Sequence, residues 1–466
     1  MTLLLALYLP PNTEVMRADG LVRNVTGSRA RSAQLLDRAK QSVAGGDSSS
    51  MRVLPYHPPL VIDRGAGCRI WDVDENEYID LNMGFGPLLF GHRPKFLIEA
   101  VTRQLQDKGS QLGFPQELNF LVAEKVKKLF PSIQLLRFAN SGTEAIATSI
   151  RLAREYTKRP NIVIFEGHYH GWSDAVFHQY HAPLEALSDA PIRPAIPGTG
   201  GMNGAPRDAY IVSWNDAEEL SAVMDRLSGS VAAVLMEPIM GNAGVIPPKP
   251  GYLATVREIT RRHRTLLIFD EVITGMRVAP GGAQQLYGVA PDITVLSKVL
   301  GSGFPIAAFG ASTEMMELIA SGKLFHGGVY SGNALVLSAA DAVLTKLLAE
   351  TGRMYGELKR RGGQLARGIE EILGRRNIPH VVQDVGPMLS FVLTKAATEN
   401  LTNYRDVRRH ADFERYIALQ HALLDRGVYV HPNLFEPVYL STTHSKEDID
   451  EVLERFDDAV EHTIHG

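Results

Sequence analysis

The sequence predicts an α/β protein: a large, mostly parallel sheet, preceded by a short set of antiparallel strands and followed by an α+β segment. Three observations carry this. From Pro94 onward, short apolar runs without alternation (Asn161–Phe165, Ala209–Val212, Val231–Met236, Leu266–Phe269) are separated by stretches with helical spacing. Unbroken apolar runs of strand length suit strands buried on both faces, and their alternation with helices implies parallel pairing. The segment from Leu60 to Leu81 instead alternates apolar and polar residues around turn clusters, as antiparallel strands do. After Asn333 a long helical stretch (Ala334–Glu350, Tyr355–Leu373) leads into a second α+β portion.

In chain order, Met1–Pro11 is apolar but lacks a basic flank and is too short to cross a bilayer, so it reads as an extra packing arm, with a poor signal peptide as the alternative. Ser32–Val43 has helical spacing and runs into Gly45-Gly46, a stop signal. Asp47–Arg52 is a polar loop, and Phe85–His92 is interrupted by glycines and a proline. The C-terminal Lys446–Thr463 reads as a helix, and no repeat or low-complexity tract occurs. The expected divisions are an N-terminal arm and part of a small domain (1–84), a large domain (85–335) and the rest of the small domain (336–466).

Length allows two to three domains and a large core. A hydrophobic content of 45%, 21% charged residues and a net charge of −4 describe an ordinary globular chain, with no basic excess for nucleic acid or an anionic membrane. The single cysteine, Cys68, excludes an internal disulfide and a Cys-based metal site and fits a reducing cytoplasm.

The chemistry centres on Leu266 to Lys298. Asp270 closes one apolar run and Lys298 follows the next, Ile293–Leu296, so both charges fall at strand carboxyl ends, where open sheets bind ligands. An ion pair or two solvated charges would fit these residues taken alone. One lysine and one aspartate at the bottom of a cleft also suit pyridoxal phosphate: the amine bonds to the cofactor aldehyde, and the carboxylate keeps the pyridine nitrogen protonated. Asn140-Ser-Gly-Thr-Glu-Ala145 opens a helix with two hydroxyls and backbone N–H groups, which suits a phosphate and equally an ordinary N-cap. Glu166-Gly-His-Tyr-His-Gly171 offers an aromatic ring for stacking on a flat cofactor; its two histidines lack a third metal ligand. Glu237-Pro-Ile-Met-Gly-Asn242 places an amide beyond another strand, where a Gly-rich turn is the competing reading. No strand–Gly-x-Gly-x-x-Gly–helix unit of a nucleotide-binding dehydrogenase is seen.

Taken together these motifs, with Ile246-Pro-Pro-Lys-Pro-Gly251, Phe269–Gly275, Arg277–Ala283 and Ser297-Lys298, resemble the class-III aminotransferases of pyridoxal-phosphate fold type I. Within that class the chain is similar to glutamate-1-semialdehyde 2,1-aminomutases and β-amino-acid transaminases, from about Gly45 to the C-terminal helix. The resemblance implies a large cofactor domain, a small domain made from both chain ends, and a homodimer with active sites at the interface. It implies that Lys298 carries the cofactor, Asp270 partners the pyridine nitrogen, and Ser141, Gly142 and Thr143 hold the phosphate. Tyr169 would stack on one ring face, Val272 press on the other, and Asn242 sit near the ring hydroxyl.

For the substrate, the loop Gly45-Gly-Asp-Ser-Ser-Ser-Met-Arg52 keeps a serine and an arginine of the aminomutase pattern, so Ser49 and Arg52 are candidate carboxylate ligands. Glu436 matches a glutamate facing the aminomutase site, and Phe85 stands where that pattern has tryptophan. Gly328-Val-Tyr-Ser-Gly-Asn333 puts Val329 where a threonine would reach the phosphate across the dimer, leaving only its backbone N–H. The implied activity is amino transfer between an amino acid, β-amino acids included, and a keto acid. The alternative is the aminomutase reaction within one carbon skeleton, and a non-catalytic pyridoxal-phosphate-fold binding module is the reading from another class.

Overall fold

The structure, a computed structural model, describes residues 27–178, 180–190, 193–194 and 208–464. The N-terminal packing arm expected at the start of the chain lies outside the described residues.

The fold is organised by an eight-stranded sheet. Its strands are β4 (Leu135–Ala139), β5 (Asn161–Phe165), β6 (Arg193–Pro194), β7 (Ala209–Val212), β8 (Val231–Met236), β9 (Leu266–Asp270), β10 (Ile293–Leu296) and β11 (Ala307–Ala311), in the order β4-β11-β10-β9-β8-β5-β7-β6. The central strands β10, β9, β8, β5 and β7 pair in parallel, whereas β11 and β6 run antiparallel to their neighbours. The reason for the unbroken apolar runs is visible residue by residue. Ile162 and Ile164 of β5 pack with Ile146 and Ile150 on one side, while Val163 and Phe165 pack with Val256 and Ile259 on the other. All six residues of β8 are buried. Both faces are covered, so a polar residue anywhere inside these strands would need a partner.

Helix α4 (Gly142–Thr157) covers one face through Ala145, Ile146, Ser149, Ile150, Leu152 and Ala153. Helices α5 (Ala217–Arg226) and α6 (Tyr252–Arg262) cover the other.

The expected antiparallel strands are β1 (Ile62–Ala66), β2 (Arg69–Asp72) and β3 (Glu77–Asp80), and β3 pairs in parallel with β14 (Val428–Tyr429). A further sheet, β12 (His380–Asp384), β13 (Met388–Leu393) and β15 (Val438–Tyr439), completes the second half. The long helical stretch after Asn333 is a 42-residue helix, α9 (Ala334–Arg375), bent at Glu350, whose φ of −125° is not helical. The first helix ends earlier than its spacing implies, α1 running Ala30–Ala39, after which Gln41–Val43 form turns; Gly45 and Gly46 then take positive φ and complete the stop. The remaining helices are α2 (Lys95–Asp107), α3 (Glu117–Leu129), α7 (Gly282–Tyr287), α8 (Thr313–Ala320), α10 (Tyr404–His410), α11 (Phe413–Asp425) and α12 (Lys446–Ile464). Among the described residues, no helix is long and apolar enough to cross a membrane.

Candidate active site

A cavity of about 440 Å³ lies at the carboxyl ends of β4, β5, β8, β9 and β10. It brings together Ser49, Arg52, Phe85, Ser141, Gly142, Thr143, Tyr169, Asn242, Asp270, Val272, Lys298 and Glu436. Val329 is not among its lining residues: it is 78% exposed, and its carbonyl accepts a hydrogen bond from the Gln111 side chain.

At the end of β4, Ser141 is the N-cap of α4. Its Oγ accepts the Glu144 N–H at 3.2 Å, and the Glu144 carboxylate returns to the Asn140 N–H at 2.8 Å. The Ser141 half is an N-cap, so the N-cap reading holds; the return bond of Glu144 reaches the N–H one residue before the N-cap and not that of the cap itself. The cap leaves room for an anion, because the first N–H groups of a helix have no partner within it, and those of Gly142 and Thr143 belong to residues lining the cavity. Side chains are excluded from this corner: a Cβ on Gly142 would lie 3.2 Å from Val272 Cγ2, and one on Gly171, at φ +86°, would lie 2.9 Å from Thr143 Cα.

Beyond β5, the Tyr169 N–H donates to Glu237 Oε1 at 2.7 Å, and His170 Nδ1 lies 2.8 Å from Asp270 Oδ2. Asp270 is the last residue of β9, and its other oxygen accepts the Val272 N–H at 3.0 Å. With a carboxylate as acceptor, Nδ1 is the protonated nitrogen of His170.

Lys298 follows β10 with φ +42°, an unusual conformation for a side chain of this size. Burial holds its amine below the ordinary lysine range, against the opposing pull of Glu436, Glu237 and Asp270. Burial likewise pushes Glu436 up to about 7, with Lys298 pulling the other way. Glu237 is pushed up to about 7 by burial, opposed by His170 and reinforced by Asp270. It also accepts the Gly241 N–H at 2.9 Å and lies 3.4 Å from Asn242 Nδ2.

Ser49, Met51, Arg52, Phe85 and Tyr180 line the same cavity, and we take this side as its mouth because Arg52 is exposed. Arg52 Nη1 sits 3.1 Å from Asp47 Oδ1 with 57% of its side chain exposed, so it remains accessible to a substrate anion. Phe85, at φ +66°, packs 5.0 Å from the His431 ring.

Sequence reasoning missed His170, Glu237 and Tyr180 as site residues. The signal for the first two was the same: a carboxylate ending a fully buried strand requires donors, and the histidine-rich loop and the Tyr169 and Gly241 backbones supply them.

The donor set fits pyridoxal phosphate. A buried amine held toward neutrality, a carboxylate, a helix N-terminus beside Gly142, where a Cβ would fit only tightly, and Gly171, where one would collide with Thr143, and an aromatic loop share one cavity.

Residues 52–460 match the family model of class-III aminotransferases. The chain belongs to this family. It is 38% identical over 426 residues to a glutamate-1-semialdehyde 2,1-aminomutase of Salinibacter ruber, covering 91% of this chain and 95% of that protein. Among solved structures it is similar to an omega-transaminase from Sphaerobacter thermophilus, with TM-score 0.85, 31% identity and coverage of 94% and 100%. A β-phenylalanine aminotransferase from Variovorax paradoxus aligns with TM-score 0.81 at 28% identity, covering 92% of this chain and 94% of that one. This class-III aminotransferase therefore has the fold type I architecture and is a pyridoxal-phosphate-dependent enzyme.

Proposed function

We propose that this aminotransferase moves an amino group between an amino acid, β-amino acids included, and a keto acid. The observation that carries the reading is the single cavity holding Lys298 with a lowered pKa beside Asp270 and the capped N-terminus of α4. Ser141, Gly142 and Thr143 would hold the cofactor phosphate, Tyr169 and Val272 would bracket the ring, Asn242 would meet its hydroxyl, and Asp270 would keep its nitrogen protonated. When bound, the cofactor supplies an aldehyde for the amino group and an electron-accepting ring. Lys298, favoured as a neutral amine by burial, takes a proton from the substrate carbon and returns one at a neighbouring position. Ser49 and Arg52 orient the substrate carboxylate at the mouth, and Phe85 and Tyr180 exclude water there.

The aminomutase reaction is the second reading, favoured by Glu436, which stands in the cavity and can accept a second amino group on the substrate. It is also supported by the Salinibacter ruber relative.

The homodimer belongs to the same proposal. Trp172, Phe114, Phe325 and Val329 are each more than 70% exposed, apolar side chains that burial against a second copy would cover. We take residues 85–335 as the cofactor domain and both chain ends as the small domain, supported by the β3–β14 pairing. The chain's single cysteine supports a cytoplasmic location.

The test is a half-reaction on purified enzyme, with single amines added while the visible cofactor band is recorded and products are weighed by mass spectrometry. A bleached band with a keto product free in solution supports transamination. Isomerisation of glutamate-1-semialdehyde without an added acceptor establishes the aminomutase instead. No band, and nothing fixed to Lys298 by borohydride, defeats both.

A further inference from the structure

Behind the cavity wall a column of rings runs from the cofactor cleft to helix α10. Tyr169 and Tyr180 both line the cavity, with ring centroids 5.0 Å apart. Tyr180 stacks on His181 at 3.9 Å, and His181 stacks on Phe435 at 4.4 Å. The Arg408 guanidinium lies 4.9 Å from the Phe435 ring. Arg408 also grips the turn beneath Tyr180: its Nη2 donates to the His181 carbonyl and its Nε to the Ala182 carbonyl at 3.1 Å, while Tyr404 Oη donates to that same carbonyl at 2.6 Å.

His181 reaches a second wall of the cleft. Its Nε2 lies 3.2 Å from the Asn242 carbonyl, which can only accept, so Nε2 carries the proton. Burial, with Arg408 adding to it, keeps the ring neutral by lowering its pKa to about 3, so a single N–H tautomer persists across the working range. Its backbone sits at φ +50°. A non-glycine residue stays in that region only where the surroundings over-determine it. The stack, the carbonyl grip and the Asn242 bond together do so.

We infer that His181 is a positioning residue with two separable outputs: its ring holds Tyr180 at the substrate mouth, and its Nε2–H fixes the loop that presents Asn242 to the cofactor. The first output reaches the substrate loop, because Tyr180 Oη lies 3.4 Å from Met51 Sδ, next to Arg52. The second bears on cofactor affinity and rests on the reading of Asn242 and Tyr169 as cofactor contacts.

Two substitutions separate the outputs. His181→Phe keeps a flat ring between Tyr180 and Phe435 but has no N–H for Asn242. His181→Gln keeps a donor near the Nε2 position but loses the ring. Holoenzymes are compared by cofactor retention on dialysis, followed by the visible band, and by the half-saturating concentration and maximal rate of band bleaching with aminooxyacetate. Melting temperature is recorded for each. His181→Phe is expected to weaken cofactor binding by about threefold to tenfold, the worth of one hydrogen bond, and to leave aminooxyacetate half-saturation unchanged. His181→Gln is expected to retain cofactor and raise the half-saturating concentration with little change in maximal rate. Variants that differ from wild type only in melting temperature, or that lose both properties together in proportion to it, would show a purely structural histidine and overturn the inference. A wild-type enzyme without a visible band would overturn the cofactor reading itself, an outcome distinct from either.

Discussion

A carboxylate at the end of a strand buried on both faces costs free energy unless donors meet it. Asp270 is met by His170 on one oxygen and the Val272 N–H on the other. His170→Phe should therefore destabilise the fold by about 1–3 kcal/mol and also reduce turnover, because Asp270, proposed to face the cofactor nitrogen, loses its orientation. His170→Asn, whose amide stands near the Nδ1 position, should recover much of both; chemical denaturation and steady-state rates on the pair check this. Glu436 yields a prediction in pH. Its pKa is raised from 4.5 to about 7 in the folded protein, so between these values the folded state binds more protons than the unfolded one, and this carboxyl's contribution to stability is lost as pH rises through the window. Cofactor-free Glu436→Gln should thus gain stability over wild type from pH 5 to pH 8, by on the order of 2–3 kcal/mol at the upper end. Parallel melts at the two pH values measure it, and a gap that does not widen defeats the assignment. At this scale the sequence showed Asp270 and Lys298 because one closes an apolar run and the other follows the next. His170 stayed hidden as a partner because its contact crosses 100 positions, and Tyr180 because the segment around it has no periodicity to place it on an element.

Elements explain why these side chains converge. Parallel strands deliver their carboxyl ends to one edge, so loops far apart in sequence meet there. The meeting of α4 with the β5 loop is tight enough to admit only glycine at Gly171, where φ is +86° and a Cβ would press on Thr143. Gly171→Ala should therefore shift the N-terminus of α4 and lower cofactor affinity by about tenfold, with global stability lowered by about 1–3 kcal/mol; cofactor titration and denaturation report the two separately. The β5 loop is also braced from α10, where Arg405 donates to both Glu166 oxygens, at 2.8 and 2.9 Å. Central strands and most helices were legible because burial on two faces or one leaves a plain apolar period. The long helix after Asn333 was legible by the same period, but its bend at Glu350 was not predicted. The parallel pairing of β3 with β14 was not, since short strands from opposite chain ends carry no mutual signal in their own residues.

At the scale of the whole molecule the single chain leaves one expected cofactor contact outside its own cavity. Val329 is 78% exposed, in a segment where Phe325 and Tyr330 are 75% and 64% exposed. Three large apolar side chains bared together are unfavourable in water unless a partner covers them. In the proposed homodimer this segment crosses to the other active site, and the resemblance places the Val329 backbone at the partner's phosphate. Two substitutions then act in opposite directions. Val329→Thr adds a hydroxyl donor and should tighten cofactor binding by about threefold to tenfold. Val329→Asp sets an anion against the phosphate and should weaken both cofactor binding and dimer association, most strongly at low ionic strength, where screening is least. Sedimentation velocity over a dilution series, with the visible band recorded in the same samples, reads both quantities. If wild type sediments as a monomer while retaining its cofactor, or if Val329→Asp leaves affinity and mass unchanged, the crossing segment is excluded and Ser141, Gly142 and Thr143 must hold the phosphate without it.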